Sequence, residues 1–290
     1  MKWAGGKRQL IPVIKQYYPF DNGITRYVEP FVGGGAVLFD VLEKYDIKEV
    51  YISDINEKLI NTYIVIQKYC NLLIKELEKI SKEYQSKDTI QQKQYFLDKR
   101  TEFNNITNVL KEKKNVKIKQ AAYMIFLNRT CFNGLYRVNS DGKFNVSFGS
   151  YNNPVICDRD NLILVSKKLQ GVVIKCCTYA DMLQYIDNQT FVFVDPPYRP
   201  LNKTASFNSY SSTGFNDNDQ EKLADFVRTI DSIGAKFIVC NSDPHNIDPL
   251  DDFFDNLYSG FTINRISATR MINSKATARG TINELLITNI

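Results

Sequence analysis

The spacing of apolar residues changes period several times along the chain. Arg26 to Phe31 is a short β-prone run, Gly33 to Gly35 a turn, and Ala36 to Tyr45 carries Val37, Leu38, Val41 and Leu42 at helical spacing. Glu49 to Ile55 is β-prone again, so the opening reads strand, turn, helix, strand, the first unit of a doubly wound nucleotide-binding sheet. Val172 to Cys177, Phe191 to Val194, Lys236 to Cys240 and Leu285 to Ile290 supply further strands, with helical segments such as Asp219 to Ile230 between them. Glu57 to Leu110 differs. It is polar and rich in Lys, Gln and Glu, with Ile60, Tyr63, Ile64, Leu72 and Leu77 at helical spacing, which predicts an inserted helical region. A helix over Ile118 to Leu127 follows, and then Phe132 to Tyr151, where Ser140-Asp141-Gly142 between two β-prone runs predicts a hairpin tip. No internal repeat or low-complexity tract interrupts this plan.

Composition narrows the class. With 290 residues, 43% hydrophobic and 24% charged, the chain has the mix of an ordinary globular protein with a sizeable core. Its longest apolar runs stop far short of a bilayer's thickness, and Lys2, Lys7 and Arg8 lead into no secretory signal, which predicts a cytoplasmic protein with no membrane association. The six cysteines show no CxxC spacing and are expected to be reduced core thiols. With His245 as the sole histidine, a Cys/His metal site or a Ser-His-Asp triad has little to work with, so no metal is expected. The net charge of +5 is uneven, because Lys111 to Tyr151 alone holds eight basic and two acidic residues. Such an excess suits a polyanion, but a solvated helix face would look the same.

Candidate chemistry lies at three places. Glu29-Pro30-Phe31-Val32-Gly33-Gly34-Gly35 joins a strand to a helix, where glycines let backbone pass close to a bound cofactor, and no Lys-Ser or Lys-Thr follows to make a phosphate loop. A plain tight turn would read the same. Asp54 ends the next strand some twenty residues on, where a carboxylate accepts both ribose hydroxyls of a nucleoside; the alternative is an N-cap for the helix starting near Glu57. The pair fits NAD and S-adenosylmethionine equally. Asp195-Pro196-Pro197-Tyr198 separates the two, because it follows a fully apolar strand and so lies where open α/β sheets bind ligands. Adenine N6 is a weak nucleophile whose lone pair is delocalised into the ring. The Asp195 carboxylate and the Pro196 carbonyl can each accept one N6 hydrogen, with Pro197 stiffening the turn and the Tyr198 ring stacking on the base. That chemistry requires the base to leave the duplex stack.

With Lys2-Trp3-Ala4-Gly5-Gly6-Lys7, Glu29 to Gly35, Asp54 and Asp195 to Tyr198 in this order, the chain resembles Dam-type adenine-N6 DNA methyltransferases, closest to the Dpn II and Mbo I kind. Asn128-Arg129, Phe132 to Arg137, Asn139 and Gly142 to Gly149 resemble that family's recognition hairpin. The resemblance implies a Rossmann-like α/β S-adenosylmethionine-dependent methyltransferase sheet from residues 1–56 and 171–290. An inserted helical target-recognition domain, residues 57–170, would carry the β-hairpin. It implies S-adenosylmethionine as cofactor, held by Trp3, Lys7, Glu29, Phe31, Gly33, Gly35, Asp54 and Asp195, with Asp195, Pro196, Pro197 and Tyr198 catalytic. It implies double-stranded DNA as partner, with GATC as the site. Arg137 would read a guanine, which its planar guanidinium suits independently. Phe132 and Asn133 would lie near the vacated base position, Leu135 beside a thymine methyl, and Lys2 and Tyr151 at the outer guanine. Arg129, Ser147, Arg270 and Arg279 complete the expected DNA-binding set, with Arg270 and Arg279 in a basic loop near the phosphates. Ser147 stands where relatives commonly carry proline, which loosens one contact of the recognition loop. The chain also starts almost at the Lys-Trp motif, as a trimmed start would. A monomer or weak dimer, nucleoid association and a companion restriction endonuclease are further expectations. The alternatives are methylation of adenine in structured RNA, and a non-catalytic DNA-binding regulator with the same fold.

Overall fold

The computed structural model describes residues 3, 5–21, 23–199, 215–269 and 281–290. Lys2, Arg270 and Arg279 lie outside them. After a short helix, α1 (Ile11–Ile14), the opening unit forms as β1 (Arg26–Glu29), α2 (Ala36–Lys44) and β2 (Glu49–Asp54). The helical region follows as α3 (Glu57–Gln85), α4 (Thr89–Asn105) and α5 (Lys114–Thr130). The remainder comprises α6 (Arg159–Lys168), β3 (Val173–Cys176), β4 (Thr190–Val194), α7 (Asp217–Ile233), β5 (Lys236–Ser242), α8 (Phe253–Leu257), β6 (Thr262–Thr269) and β7 (Thr281–Thr288). None of the described helices is long and apolar enough to cross a membrane.

The seven strands lie in the order β3-β2-β1-β4-β5-β7-β6, and only β7 runs against the rest. This is the doubly wound α/β sheet expected from the sequence, with β1 and β4 as neighbours at the point where the order reverses. Alternate residues of the buried strands face opposite layers. Tyr27, Phe191, Phe193 and Cys240 join a core shared with α2, α3 and α5, while Val28, Val192, Val194 and Val239 join one with α7 and α8. Two strands depart from the sequence reading. β7 starts four residues before Leu285, and the polar edge strand β6 was not foreseen, because its Thr, Asn, Arg and Ser positions give no strong apolar alternation.

The inserted helices do not form an isolated core. Asn56 caps α3 by accepting from the Leu59 N–H at 3.0 Å, and the helix bends at Tyr69, whose φ of −134° leaves the helical range. Before the bend α3 touches the sheet layer: Tyr63 Oη donates to the Gly33 carbonyl at 3.0 Å and Gln67 Nε2 to Val172 O at 2.8 Å. Beyond it, Leu73, Ile74, Leu77 and Tyr84 continue one apolar cluster with Phe96 of α4 and Phe126 of α5. The hairpin rests on these helices. It closes through two isolated bridges, Cys131 to Phe148 and Val138 to Phe144, instead of a regular ladder, with its turn at 140–142 as expected. Asn104 of α4 stitches the return arm, donating to Phe144 O at 3.0 Å and accepting from Phe144 N at 2.8 Å.

All six cysteines are free thiols, but they are not all in the core. Cys131 and Cys240 are buried, whereas Cys176 is exposed. β3 forms an edge of the sheet, so the end of its apolar run faces water instead of a second strand.

Candidate active site and nucleic-acid interface

Parallel strands end at the same edge of a sheet, so β1, β2 and β4 deliver the glycine turn, Asp54 and Asp195 side by side. The turn is tightly fitted. Gly35, at φ +70°, begins α2, and a Cβ there would sit 2.6 Å from the Tyr63 hydroxyl. The Trp3 indole lies against Gly33, so close that a Cβ on Gly33 would be 3.0 Å from it, and stacks on Tyr136 of the hairpin with centroids 5.2 Å apart.

Asp54 is held by backbone. Its Oδ1 accepts from Asn56 N at 2.8 Å and its Oδ2 from Gly33 N at 3.2 Å. Burial pushes its carboxyl up to about 6 against those two donors. The N-cap role belongs to Asn56, so Asp54 keeps the strand-end position expected of a ribose ligand. Ile55 beside it exposes 59% of its surface. Phe31 is half-buried and stacks on Tyr179 at 5.5 Å. Glu29 lies deeper than the other candidates, 2% exposed under the turn, where Tyr27 Oη donates to it at 2.7 Å. Burial raises its carboxyl to about 8, so it is protonated at neutral pH.

The tetrapeptide leaves β4 half-open. Asp195 keeps 20% of its side-chain surface exposed, Pro196 is buried, and Pro197 and Tyr198 are half-buried. Lys7, only 4% exposed, places its ammonium 3.0 Å from Asp195 Oδ1 and 3.8 Å from Glu284 Oε2, and donates to Gly5 O at 2.6 Å. The structure thus sets Lys7 against the tetrapeptide and Glu284. Tyr198 Oη donates to Glu284 Oε2 at 2.6 Å, and its ring centroid is 4.6 Å from the Lys7 nitrogen. Burial raises the Asp195 carboxyl to about 6 although the Lys7 charge opposes it. Lys7 itself stays above its ordinary value, because Asp195 and Glu284 outweigh the burial that would lower it.

Glu284 was absent from the sequence reading. It reaches the site because β7 pairs antiparallel with β5, which puts Glu284 opposite Ser242 at the carboxyl end of that strand. A lone acid directly before the apolar run Leu285 to Ile287 was the available signal.

The hairpin presents a second surface. Tyr136, Val138, Phe144 and Val146 are buried, so the intervening positions turn outward: Leu135, Arg137 and Asn145 are half-exposed and Ser147 is exposed. Phe132, at 55% exposure, and Asn133 lie beside them. Asn133 adopts φ +55°, and its N–H donates to Tyr151 Oη at 2.8 Å. Arg137 Nε donates to Asn145 Oδ1 at 2.9 Å. Arg129, near the end of α5, lies 3.7 Å from Asp158.

Comparison with known proteins identifies the family. Residues 3–272 match the model of the D12 class N6 adenine-specific DNA methyltransferases. A type II methyltransferase, M.MjaIII of Methanocaldococcus jannaschii, is 47% identical over 100% of this chain and 98% of its own. M1.LlaDCHI of Lactococcus lactis subsp. cremoris, also named a type II methyltransferase, is 35% identical over 99% of this chain and 94% of its own. A DNA adenine methylase of Vibrio cholerae serotype O1 is 31% identical over 99% and 94%. A match across nearly the whole chain, with Asp195 to Tyr198 at the carboxyl edge of the sheet, establishes that the protein belongs to the N6 adenine-specific DNA methyltransferases of the D12, Dam-type class.

Proposed function

We propose that this enzyme takes its methyl group from S-adenosylmethionine and delivers it to the N6 amine of an adenine swung out of duplex DNA, within GATC. The observation that carries this reading is the half-open Asp195 carboxylate, held by Lys7 next to the glycine turn and Asp54. The residues suit the cofactor: Asp54 offers a carboxylate to ribose hydroxyls, Ile55 and Phe31 offer apolar surface to adenine, and Gly33 and Gly35 keep the turn free of side chains. When bound, the cofactor supplies a methyl group already activated on a sulfonium.

The protein's task is alignment and charge. Asp195, kept ionised by Lys7, accepts one N6 hydrogen and the Pro196 carbonyl the other, which draws the nitrogen lone pair out of conjugation and stabilises positive charge developing on it. Tyr198, anchored through its hydroxyl to Glu284, offers its ring face as a substitute for lost base stacking. The region 57–170 acts as the target-recognition part. Its outward-facing Arg137 reads a guanine, Leu135 meets a thymine methyl, and Phe132 and Asn133 border the vacated position. The names of two relatives, both type II methyltransferases, favour a companion restriction endonuclease.

The test incubates the enzyme with S-adenosylmethionine and duplexes with or without GATC, and measures N6-methyladenine by mass spectrometry. Asp195→Ala is expected to abolish the product while cofactor binding stays within a few fold. Equal methylation of both duplexes removes the site assignment, and equal loss of binding and activity removes the division of labour.

A further inference from the structure

The two prolines of the catalytic tetrapeptide have no N–H, so the chain leaving β4 can be fixed there only through its carbonyls and through the residues that follow. Two fully buried carboxamides do this. Gln220, in the first turn of α7, donates from Nε2 to Pro197 O at 3.2 Å and accepts from Asn241 Nδ2 at 3.1 Å. Asn241, near the end of β5, accepts at one oxygen from Arg199 N at 3.3 Å and from Ser242 N at 2.9 Å. Ser242 Oγ donates to Arg199 O at 3.0 Å. The backbone is therefore held immediately before and immediately after Tyr198.

Arg199 ties this brace to the molecule's surface. Its guanidinium forks onto both oxygens of Asp217 at 2.8 and 3.1 Å, reaches Asp251 at 2.6 Å, and covers the Phe253 ring at 4.3 Å. Buried carboxamides cost free energy unless each polar atom is matched, and both side chains are fully buried. Burying them here has a return only in the backbone they fix.

We propose that Gln220 and Asn241 are positioning residues for methyl transfer: they set the backbone on both sides of Tyr198, and so aim the Asp195 carboxylate, the Pro196 carbonyl and the tyrosine ring at the target base. This rests on the adenine-N6 reading of the tetrapeptide. Misplacing reacting groups by about 1 Å costs on the order of 100-fold in rate, so the brace acts on the chemical step and leaves cofactor affinity alone.

The experiment measures single-turnover methylation, S-adenosylmethionine affinity and duplex affinity on the duplex that the wild type methylates. Gln220→Met keeps the volume and removes both hydrogen bonds; it is expected to slow the single-turnover step 10- to 100-fold with both affinities within about twofold. Gln220→Glu keeps the shape, and its carboxyl can replace the lost donor to Pro197 O only while it carries a proton. Its rate is expected to approach that of the wild type at acidic pH and to fall away as pH rises, at pH values where melting shows it folded. A Gln220→Met rate within twofold of wild type overturns the proposal, as does a loss of cofactor affinity as large as the loss of rate. If Gln220→Met does not fold, a Gln220→Glu rate that follows the wild-type pH profile overturns it. A wild type that methylates no adenine N6 sinks the underlying reading instead, so the two failures are distinguishable.

Discussion

Replacing Lys7 with methionine removes the cation 3.0 Å from Asp195 while keeping most of the side chain's volume. Among the described residues, the groups left facing Asp195 are acidic or neutral: Glu284, Glu29, the Cys240 thiol and the Tyr198 ring. At an effective dielectric constant of about 20, unit charges at this separation attract by about 5 kcal/mol. Water at the exposed fifth of Asp195 cuts this to roughly half, equivalent to about two pH units at ~1.4 kcal/mol each. The wild-type carboxyl titrates at about 6, so the variant's acid limb should rise by roughly two units. The ionised fraction at pH 7 then falls from about nine-tenths to about one-tenth, a tenfold loss in methyl transfer. Single-turnover rates from pH 5 to 9.5 at saturating cofactor measure this, and activity should recover toward pH 9. A uniform loss with the acid limb still near 6 would refute the claim that Lys7 keeps Asp195 ionised.

Gly35→Ala puts a left-handed residue at φ +70° and a methyl 2.6 Å from the Tyr63 hydroxyl. Urea unfolding should register a loss of about 2–3 kcal/mol, of which the backbone takes about 1–2 and the displaced Tyr63 hydrogen bond about 1. Gly142→Ala, at φ +71° in open space, should cost only the backbone share. Glu29 is raised to about 8 from an ordinary value of 4.5, so the folded state keeps a proton that the unfolded chain releases. Its contribution to stability is complete below pH 4.5 and is lost as pH rises through about 8. Glu29→Gln should therefore melt higher relative to wild type at pH 9 than at pH 5; an equal difference at both contradicts the assignment. Arg137→Ala should relax discrimination at one guanine by about 1–3 kcal/mol, read as the ratio of kcat/KM for GATC and singly substituted duplexes. Loss of activity with an unchanged ratio argues against base reading.

Local chemistry carried much of this protein in the sequence itself. The apolar run Phe191 to Val194, rich in β-branched and aromatic residues, reads as a strand buried on both faces, and the Pro-Pro pair following it ends that strand. The glycine turn and Asp54 were legible for the same reason, since their positions at strand ends follow from the change of hydrophobic period. The hairpin tip was legible from Ser140-Asp141-Gly142, whereas the outward side of Arg137 was shown only by the burial of Tyr136, Val138, Phe144 and Val146 in the structure. The strand β6 was not legible, because an edge strand packs little apolar surface and leaves no strong period.

Contacts across the sheet were decided only by tertiary structure. Lys7 and Asp195 are far apart in sequence, and nothing near Lys7 signals that its charge is buried against a carboxylate. Glu284 enters the site because β7 is the one reversed strand, so the start of that strand, not its end, meets the edge where the parallel strands finish. The sequence specifies which segments are strands, because the spacing of side chains is a local property. Strand order and direction depend on which faces bury one another, so the partners of the Asp195 carboxylate become visible only once the chain has folded.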